Sequence, residues 1–451
     1  MINIRIYFIS FLLLVASMMS CKVLVNSNYE ENRYYLHPGE NLENQIYQIF
    51  KKNNSHISLI FEKGEYIIDE QIYLNNISNV KILGNGAIIK MKADAVVGNN
   101  FGMISFKNSS DIYIENITFD ANRDRRKCRE VAAHTFMIVS SKRISLLGVN
   151  VINSVVDGFI IYTETPEDSY SFCSDISFKN CLSFNSYRNA LSIINGRNIR
   201  ALDCAFSNSN GTAPEGGLVI ESDIDRLNSD FRDLLFSNCN FTNNNGWGVI
   251  ISQKSNPTKI RICDSKIENS GRGGIWNCSV NTELDRNLFR ENGEVAIRSV
   301  RYEARPIDTI NILNNTFRNE SVGIEYVGYG GKIESNLFDS INLYGVRLNG
   351  ITKDDTNAII DLNQFKNCFN VGISVNRFNS CTISRNKFSG SAQICTEFIS
   401  STVSCRENIF QDAKIGLKAS YSTIKLSNNH FSSCTKDMQK GESTNIFHDD
   451  K

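Results

Sequence analysis

Across 451 residues the chain carries only 5 prolines and 5 histidines, and its 48 Lys+Arg balance 48 Asp+Glu to no net charge. Each shortage removes a class of explanation. So little proline argues against a proline-rich disordered chain, and 41% hydrophobic against 21% charged residues leaves material for a large core. The neutral balance gives no support to a nucleic-acid-binding surface. No Cys/His cluster has zinc-ligand spacing and no glycine-rich phosphate loop is present, so no metal ligand set can be named. Helical periodicity is also scarce. Beyond one short segment near the start, apolar residues alternate over strand lengths, and no helix of normal length fits between the turn residues.

What is present is one phrase, repeated. Asn-x-Phe recurs at Asn287/Phe289, Asn315/Phe317, Asn336/Phe338, Asn363/Phe365, Asn386/Phe388, Asn408/Phe410 and Asn429/Phe431, a period of about 21 to 28 residues. Cys204/Phe206, Cys239/Phe241 and Ser265/Ile267 hold the same two places upstream, and Phe119, Val151 and Phe184 read as earlier copies. After each anchor comes a polar hinge, then Gly and an apolar alternation, as in Gly217-Leu-Val-Ile, Gly345-Val-Arg-Leu and Gly372-Ile-Ser-Val. Two or three short strands per repeat predict an all-β parallel solenoid, one elongated domain with successive coils roughly 4.8 Å apart. Stacked Asn amides would then bond one to the next over a column of Phe. Cysteines at Cys181, Cys204, Cys239, Cys263, Cys368 and Cys381 read as stacked core filler in one register.

At the amino terminus, Arg5, an apolar run from Ile6 to Met19 and Ser20-Cys21 form a signal peptide, too short in its apolar part to span a membrane. The polar stretch after it reads as a tether. Leu42, Ile46, Ile49 and Phe50 then share one helical face behind Asn41 as N-cap, predicting a short helix over the open end of the stack. The division is a leader 1–20, a tether 21–36, a solenoid 37–440 with its capping helix at about 41–52, and a tail 441–451.

Chemistry is expected where the repeat is broken, at the interruptions Asp120–His134, Thr163–Ser174 and Glu221–Asp233. Insertions on neighbouring coils are expected on one side, walling a groove. The first supplies Asp120, Asn122, Arg123, Asp124 and His134, carboxylates and guanidinium groups that suit an acidic or hydroxylated sugar. A solvated, self-paired loop is the bland alternative. Asp157, before the hinge glycine Gly158, is expected to face the groove, with Arg188 and Asn189 one coil later, although an Asp before Gly is also a backbone device. Cys128 and Cys173 could staple two of the loops.

The segments Lys63-Gly64-Glu65-Tyr66 and Asn79-Val80-Lys81-Ile82-Leu83-Gly84-Asn85-Gly86, with the repeats, resemble the pectate-lyase-like superfamily of right-handed parallel β-helices. Phe119-Asp120-Ala121-Asn122-Arg123-Asp124 resembles a segment of carbohydrate-active members, and Gly211–Asp223 a segment of glycan-processing ones. In the latter, Val219 and Ser222 replace the pattern's Asp and Pro. The resemblance implies a right-handed fold and a polysaccharide substrate, with Asp120, Asp124, Asp157, Glu215 and Glu221 as catalytic candidates. Asn122, Arg123, His134, Arg188, Asn189 and Asp223 would bind substrate. None of His37, His56, His134, His430 and His448 lies in the Gly-His-Gly phrase of polygalacturonases or the Asp-Pro-His phrase of alginate epimerases. Ser20-Cys21 resembles a bacterial lipoprotein cleavage site, with Met18 where Leu is usual, which implies a lipid on Cys21 and a secreted monomer anchored to a cell surface.

Two function classes stay open. A hydrolase needs two carboxylates about 5 to 9 Å apart and no cofactor; a lyase or epimerase needs a base such as Arg123 or Arg188 and can draw on calcium. The competing class is a non-catalytic glycan binder or adhesin.

Overall fold

Short alternating segments broken by Asn, Asp, Ser and Gly each bury only one face, and stacking them in parallel is how such faces are covered. The computed structural model takes this form. It describes residues 32–39, 41–95, 101–125, 133–164, 172–221, 231–252, 259–278, 281–300, 310–328, 331–350, 357–390 and 392–448. A coil has three strands. In one coil these are Ser380–Ser384, Lys387–Ser389 and Ile394–Ile399, each pairing in parallel with its counterpart in the next, as Ile383 with Cys405, Phe388 with Phe410 and Thr396 with Leu417. The third strands form a 15-stranded sheet, and the first and second strands merge into one of 31. Corner residues such as Asn153 (φ 54°), Asn185 (φ 62°) and Asn243 (φ 58°) take the left-handed backbone that Asn tolerates best.

The expected columns are present at the corner between first and second strands, except that Phe184 is exposed and Ser183, one residue before it, holds its place in the Phe column. Asn363 Nδ2 donates to Asn386 Oδ1 (3.0 Å) and to the Ile333 carbonyl (2.9 Å), while its Oδ1 accepts from the backbone N–H and the amide of Asn336, both at 2.9 Å. The pattern runs from Asn287 to Asn429. Beneath it Phe317, Phe338, Phe365 and Phe388 stack at 4.7 Å between centroids. Towards the amino terminus Ser265, Cys239 and Cys204 hold the same place, with Ser265 Oγ accepting from Cys239 N at 3.0 Å and Cys204 Sγ from Cys181 N at 3.4 Å. The cysteines do not all share that register: Cys263 and Cys381 lie in first strands and Cys368 ends a second strand. Cys173 is a free buried thiol that donates to the Tyr162 carbonyl at 3.3 Å, and Cys128 lies outside the described residues.

A second internal ladder lines the corner between second and third strands. Ser209 N donates to Asn244 Oδ1 (3.0 Å), Ser270 N to Asn292 Oδ1 (3.3 Å), and Asn292 Nδ2 to Glu320 Oε1 (2.8 Å). Burial pushes the Glu320 carboxyl up to about 8.

The helix α1, Leu42–Lys52, is capped by Asn41, whose side chain accepts from Asn44 N at 2.8 Å; it buries Leu42, Ile46 and Ile49 and packs on the first coil. Two boundaries move. Residues 32–36, read above as tether, form a strand that pairs with Ser55–Phe61 because Leu36 can be buried at the sheet edge. The tail contains the strand Asn445–His448, where Ile446 stacks in register on Ile424. The leader, Cys21 and the rest of the tether lie outside the described residues.

The interruptions do not leave the stack on one side. The first lies between a second strand ending at Asp120 and a third strand starting at Ala133. The other two lie between third and first strands, after Tyr162 and after Glu221. Their described ends stand at opposite ends of the third strands, since an insertion starts at whichever corner it interrupts. Nor are they confined to the amino-terminal half: the segments 301–309 and 351–356 separate third and first strands in the same way.

Candidate functional site

Just ahead of, or at the start of, three successive third strands stand His134, Asp157 and Asn189, tied coil to coil by Thr135 N to Asp157 O (3.0 Å) and Gly158 N to Asn189 O (2.8 Å). Here the expectation of an exposed Asp157 fails. Its side chain is fully buried. Oδ1 accepts from Arg188 Nε (2.8 Å) and from the backbone N–H of Asn189 (3.1 Å), and Oδ2 from Arg188 Nη2 (2.5 Å). His134 Nδ1 lies 3.2 Å from the same Oδ2, without hydrogen-bond alignment. Burial pushes the Asp157 carboxyl up, but the hydrogen bonds from Arg188, with the imidazole of His134 close by, outweigh it and hold the group far below the ordinary carboxylate range. The same bond raises the Arg188 guanidinium, and the charge of Glu221 adds to that effect. Glu221 ends the strand Leu218–Glu221, one coil after Arg188 and at the far end of the third strand from it.

Asn189 is buried as well, not open to substrate. Its Oδ1 accepts from Gly216 N (3.0 Å) and its Nδ2 donates to Ser192 Oγ (3.1 Å), continuing the row of side chains that satisfy the next coil's backbone.

A second group lies along the outside of the second corner. Asp120 Oδ1 accepts from Asn122 N and from Asn153 Nδ2, both at 2.9 Å, and Asn122 Nδ2 donates to the Met91 carbonyl (3.0 Å). Arg123 reaches Asn185 Oδ1 two coils on (3.2 Å) and the Asn210 carbonyl three coils on (2.5 Å), with its guanidinium 5.0 Å from the centre of the Tyr187 ring. Glu215 accepts from Gly211 N at 2.7 Å. Asp124 is exposed, and Asp223 lies outside the described residues.

The candidates therefore divide. His134, Asp157, Arg188 and Asn189 form one connected cluster with Glu221 in its field. Asp120, Asn122, Arg123 and Glu215 brace the corner beside it. Of the five carboxylates, Asp120, Asp157 and Glu215 are already committed to backbone, amide or guanidinium donors. Among the described residues no group of three or more His, Cys, Asp or Glu side chains forms a metal-ligating set.

A cavity of about 720 Å³ lies elsewhere, between α1 and the first coil, lined by Tyr47, Phe50 and Tyr73 among others. It contains no candidate residue, and its Glu43 is occupied by Asp69 N at 2.8 Å, so we take the polar cluster as the site. Two features escaped the sequence reading. The second ladder mixes Ser, Asn and Glu and has no single-residue signature. The chain's two tryptophans, Trp247 and Trp276, meet edge to face with centroids 5.3 Å apart, although 29 residues separate them in sequence.

Comparison with known proteins agrees with this architecture. No curated protein matches the sequence. Among solved structures the chain is similar to a pectate lyase (14% identity, 79% of this chain and 78% of that one, TM-score 0.39) and to an exopolygalacturonase from Thermotoga maritima (10%, 86% and 87%, 0.32). It is similar also to an N-terminal fragment of bacteriophage phi29 gene product 12 (12%, 97% and 96%, 0.47). Residues 300–449 match the family described as the right handed beta helix region, and the fold of the chain is a right-handed parallel β-helix.

Proposed function

We propose that the protein processes an extended acidic polysaccharide running along the corner where the third strands begin, by acid–base chemistry centred on His134. The observation that carries this is the buried Asp157 shared between an imidazole and a guanidinium. A carboxylate held ionised in this way is a poor proton donor, but it orients what it touches. With Nδ1 turned to Asp157, the imidazole keeps Nε2 as its proton-handling atom. Arg188, about a third exposed, supplies positive charge for a uronate carboxylate. Removal of the proton next to that carboxylate, followed by loss of the linked sugar oxygen, gives an unsaturated uronate; return of a proton to the opposite face gives an epimer. Hydrolysis by two carboxylates is the weaker reading, since Asp120, Asp157 and Glu215 are each bound to fixed donors.

The test is a panel of acidic polysaccharides, followed by absorbance of unsaturated products, by reducing ends and by exchange of the sugar C–H. Unsaturation or exchange, reduced about 10²- to 10⁴-fold in His134→Gln, is the expected result. Reducing ends without unsaturation would return the assignment to hydrolysis, and silence on every glycan from a folded protein would favour the adhesin.

Export and anchoring belong to the same proposal, with Cys21 as the lipidated residue. A Cys21→Ala protein should leave the membrane fraction. Unchanged partition would count against the anchor.

A further inference from the structure

The outer face of the third-strand sheet changes character along the stack. Its central outward row reads Met137, Ile160, Ser192, Val219, Ile250, Trp276 and then Arg298, Glu325, Arg347. From Arg298 onwards the row is self-paired: Arg298 Nε lies 2.6 Å from Glu325 and its Nη1 3.0 Å from Glu294, Arg347 pairs with Glu325 at 3.5 Å, and Lys418 pairs with Glu397 at 2.8 Å. At the junction stand both tryptophans. In Gly273–Asn277 the side chains of Ile275 and Asn277 are fully buried, so Trp276 between them points outward and is half-buried. Its indole N–H donates to Cys278 Sγ at 2.9 Å. Trp247 lies over Gly273, where an added Cβ would meet its ring at 2.3 Å, and Arg298 sits 5.8 Å above the ring centre. Trp247 is buried, though neither indole joins the main cluster of packed core side chains.

Glycine makes this arrangement possible. Gly246, Gly271 and Gly293 follow one another at the corner beside the indoles, and a Cβ on any of them would strike the backbone of the coil before it. The result is a flat backbone strip beside a partly exposed aromatic, with the exposed Arg272 and Glu294 on its rim. An aromatic face offers apolar contact to a flat C–H surface, and polar groups around it bond what projects from the edge. Arg298 is already paired with Glu294 and Glu325, which leaves the exposed Arg272 as the rim's hydrogen-bond donor to a ring hydroxyl.

We propose that Trp276, backed by Trp247, is a subsite for a neutral pyranose of a polysaccharide chain. Trp247 follows Asp157 by three coils in the same row, about 14 Å at one strand spacing per coil. A polymer reaching both sites therefore contains acidic and neutral sugars together. That last step rests on the acid–base reading above; the subsite itself does not.

Because the chain has only these two tryptophans, their fluorescence reports directly on the subsite. Full-length protein is titrated with oligosaccharides of glucose, mannose, galactose and xylose, with oligogalacturonate as the acidic comparison. The expected result is a saturable change with at least one neutral oligosaccharide, retained in Trp276→Phe and in His134→Gln. In Trp276→Ala the affinity should fall at least about tenfold, as loss of a stacking face implies. Ile250→Arg, which places a long charged chain beside Trp276 in the same row, gives a second variant should Trp276→Ala fail to fold, and it should weaken binding likewise. No fluorescence response to any neutral oligosaccharide, or equal affinity in both Trp276→Ala and Ile250→Arg, overturns the subsite. Loss of binding only in His134→Gln would assign the sugar to the acid–base cluster instead.

Discussion

The stack from Asn287 to Asn429 and the stack from Val149 to Ser265 solve the same corner with different chemistry. In the carboxy-terminal part an amide fills it, and each amide both donates and accepts, so the ladder is continuous and the Phe rings beneath it lie parallel within 17°. In the amino-terminal part Val, Cys and Ser fill it. A thiol donates mainly to a carbonyl of its own coil or the one before, as Cys239 Sγ does to Ser237 and Ala201, and the ring column beneath is interrupted by Val151, Ser183 and Ile267, leaving Phe206 stacked on Phe241 at 5.8 Å as its ring pair. The regular part spends its side chains on neighbouring coils and closes its outer face with ion pairs. The irregular part carries the His134–Asp157–Arg188 cluster. Regularity and chemistry occupy different coils because a residue committed to a ladder is unavailable to a ligand.

This contrast can be broken at several points. The largest effect should come from Phe365→Ala, which opens a void between two stacked rings and should cost about 3 to 5 kcal/mol in chemical denaturation. Asp157→Asn comes next. Removal of a buried carboxylate leaves Arg188 without its partner, and a loss of roughly 2 to 4 kcal/mol is expected, at the lower side of the usual range because Arg188 is partly exposed. A surface carboxylate would show almost no change in the same melt. Asn363→Leu should cost about 1 to 3 kcal/mol, since the N–H groups of Asn336 lose their acceptor. The matching change in the other half, Cys204→Val, should cost under about 1 kcal/mol, because a thiol makes weak hydrogen bonds and Val has a similar volume. Equal costs at the two positions would remove the distinction between the ladders.

A pH dependence is expected at the end of the second ladder. Glu320 titrates at about 8 when folded against an ordinary 4.5. A raised carboxyl favours the folded state below its unfolded value, so this contribution falls as pH rises from about 4.5 to about 8 and is flat beyond. Thermal melts across that window should show the decline, and Glu320→Gln should abolish that part of it. For Asp157 the sign is opposite: its contribution is present above the ordinary carboxylate value of 3.8 and lost on acidification below it.

The legible part of this protein is whatever repeats. Asn and Phe at a fixed offset could be read as columns because one residue type recurs at one register, and Asn41 with Leu42, Ile46 and Ile49 could be read as a capped helix because its signals are local. The site was legible only in outline. Asp157, Arg188, His134 and Asn189 were singled out, yet as groove-facing groups.

The sequence by itself determined the strand lengths, the corners and the parallel stacking, since each follows from spacing within one repeat. Only the tertiary structure decided what each polar side chain faces. The residue 31 or 32 positions away becomes an immediate neighbour once coils stack, as Arg188 and Asn189 do for Asp157. Loops of unequal length vary that separation from coil to coil, so no fixed spacing marks the pair in advance. The same physics hid the meeting of Trp247 with Trp276 and the burial of Glu320, because a contact between coils depends on register across the stack and not on any local pattern.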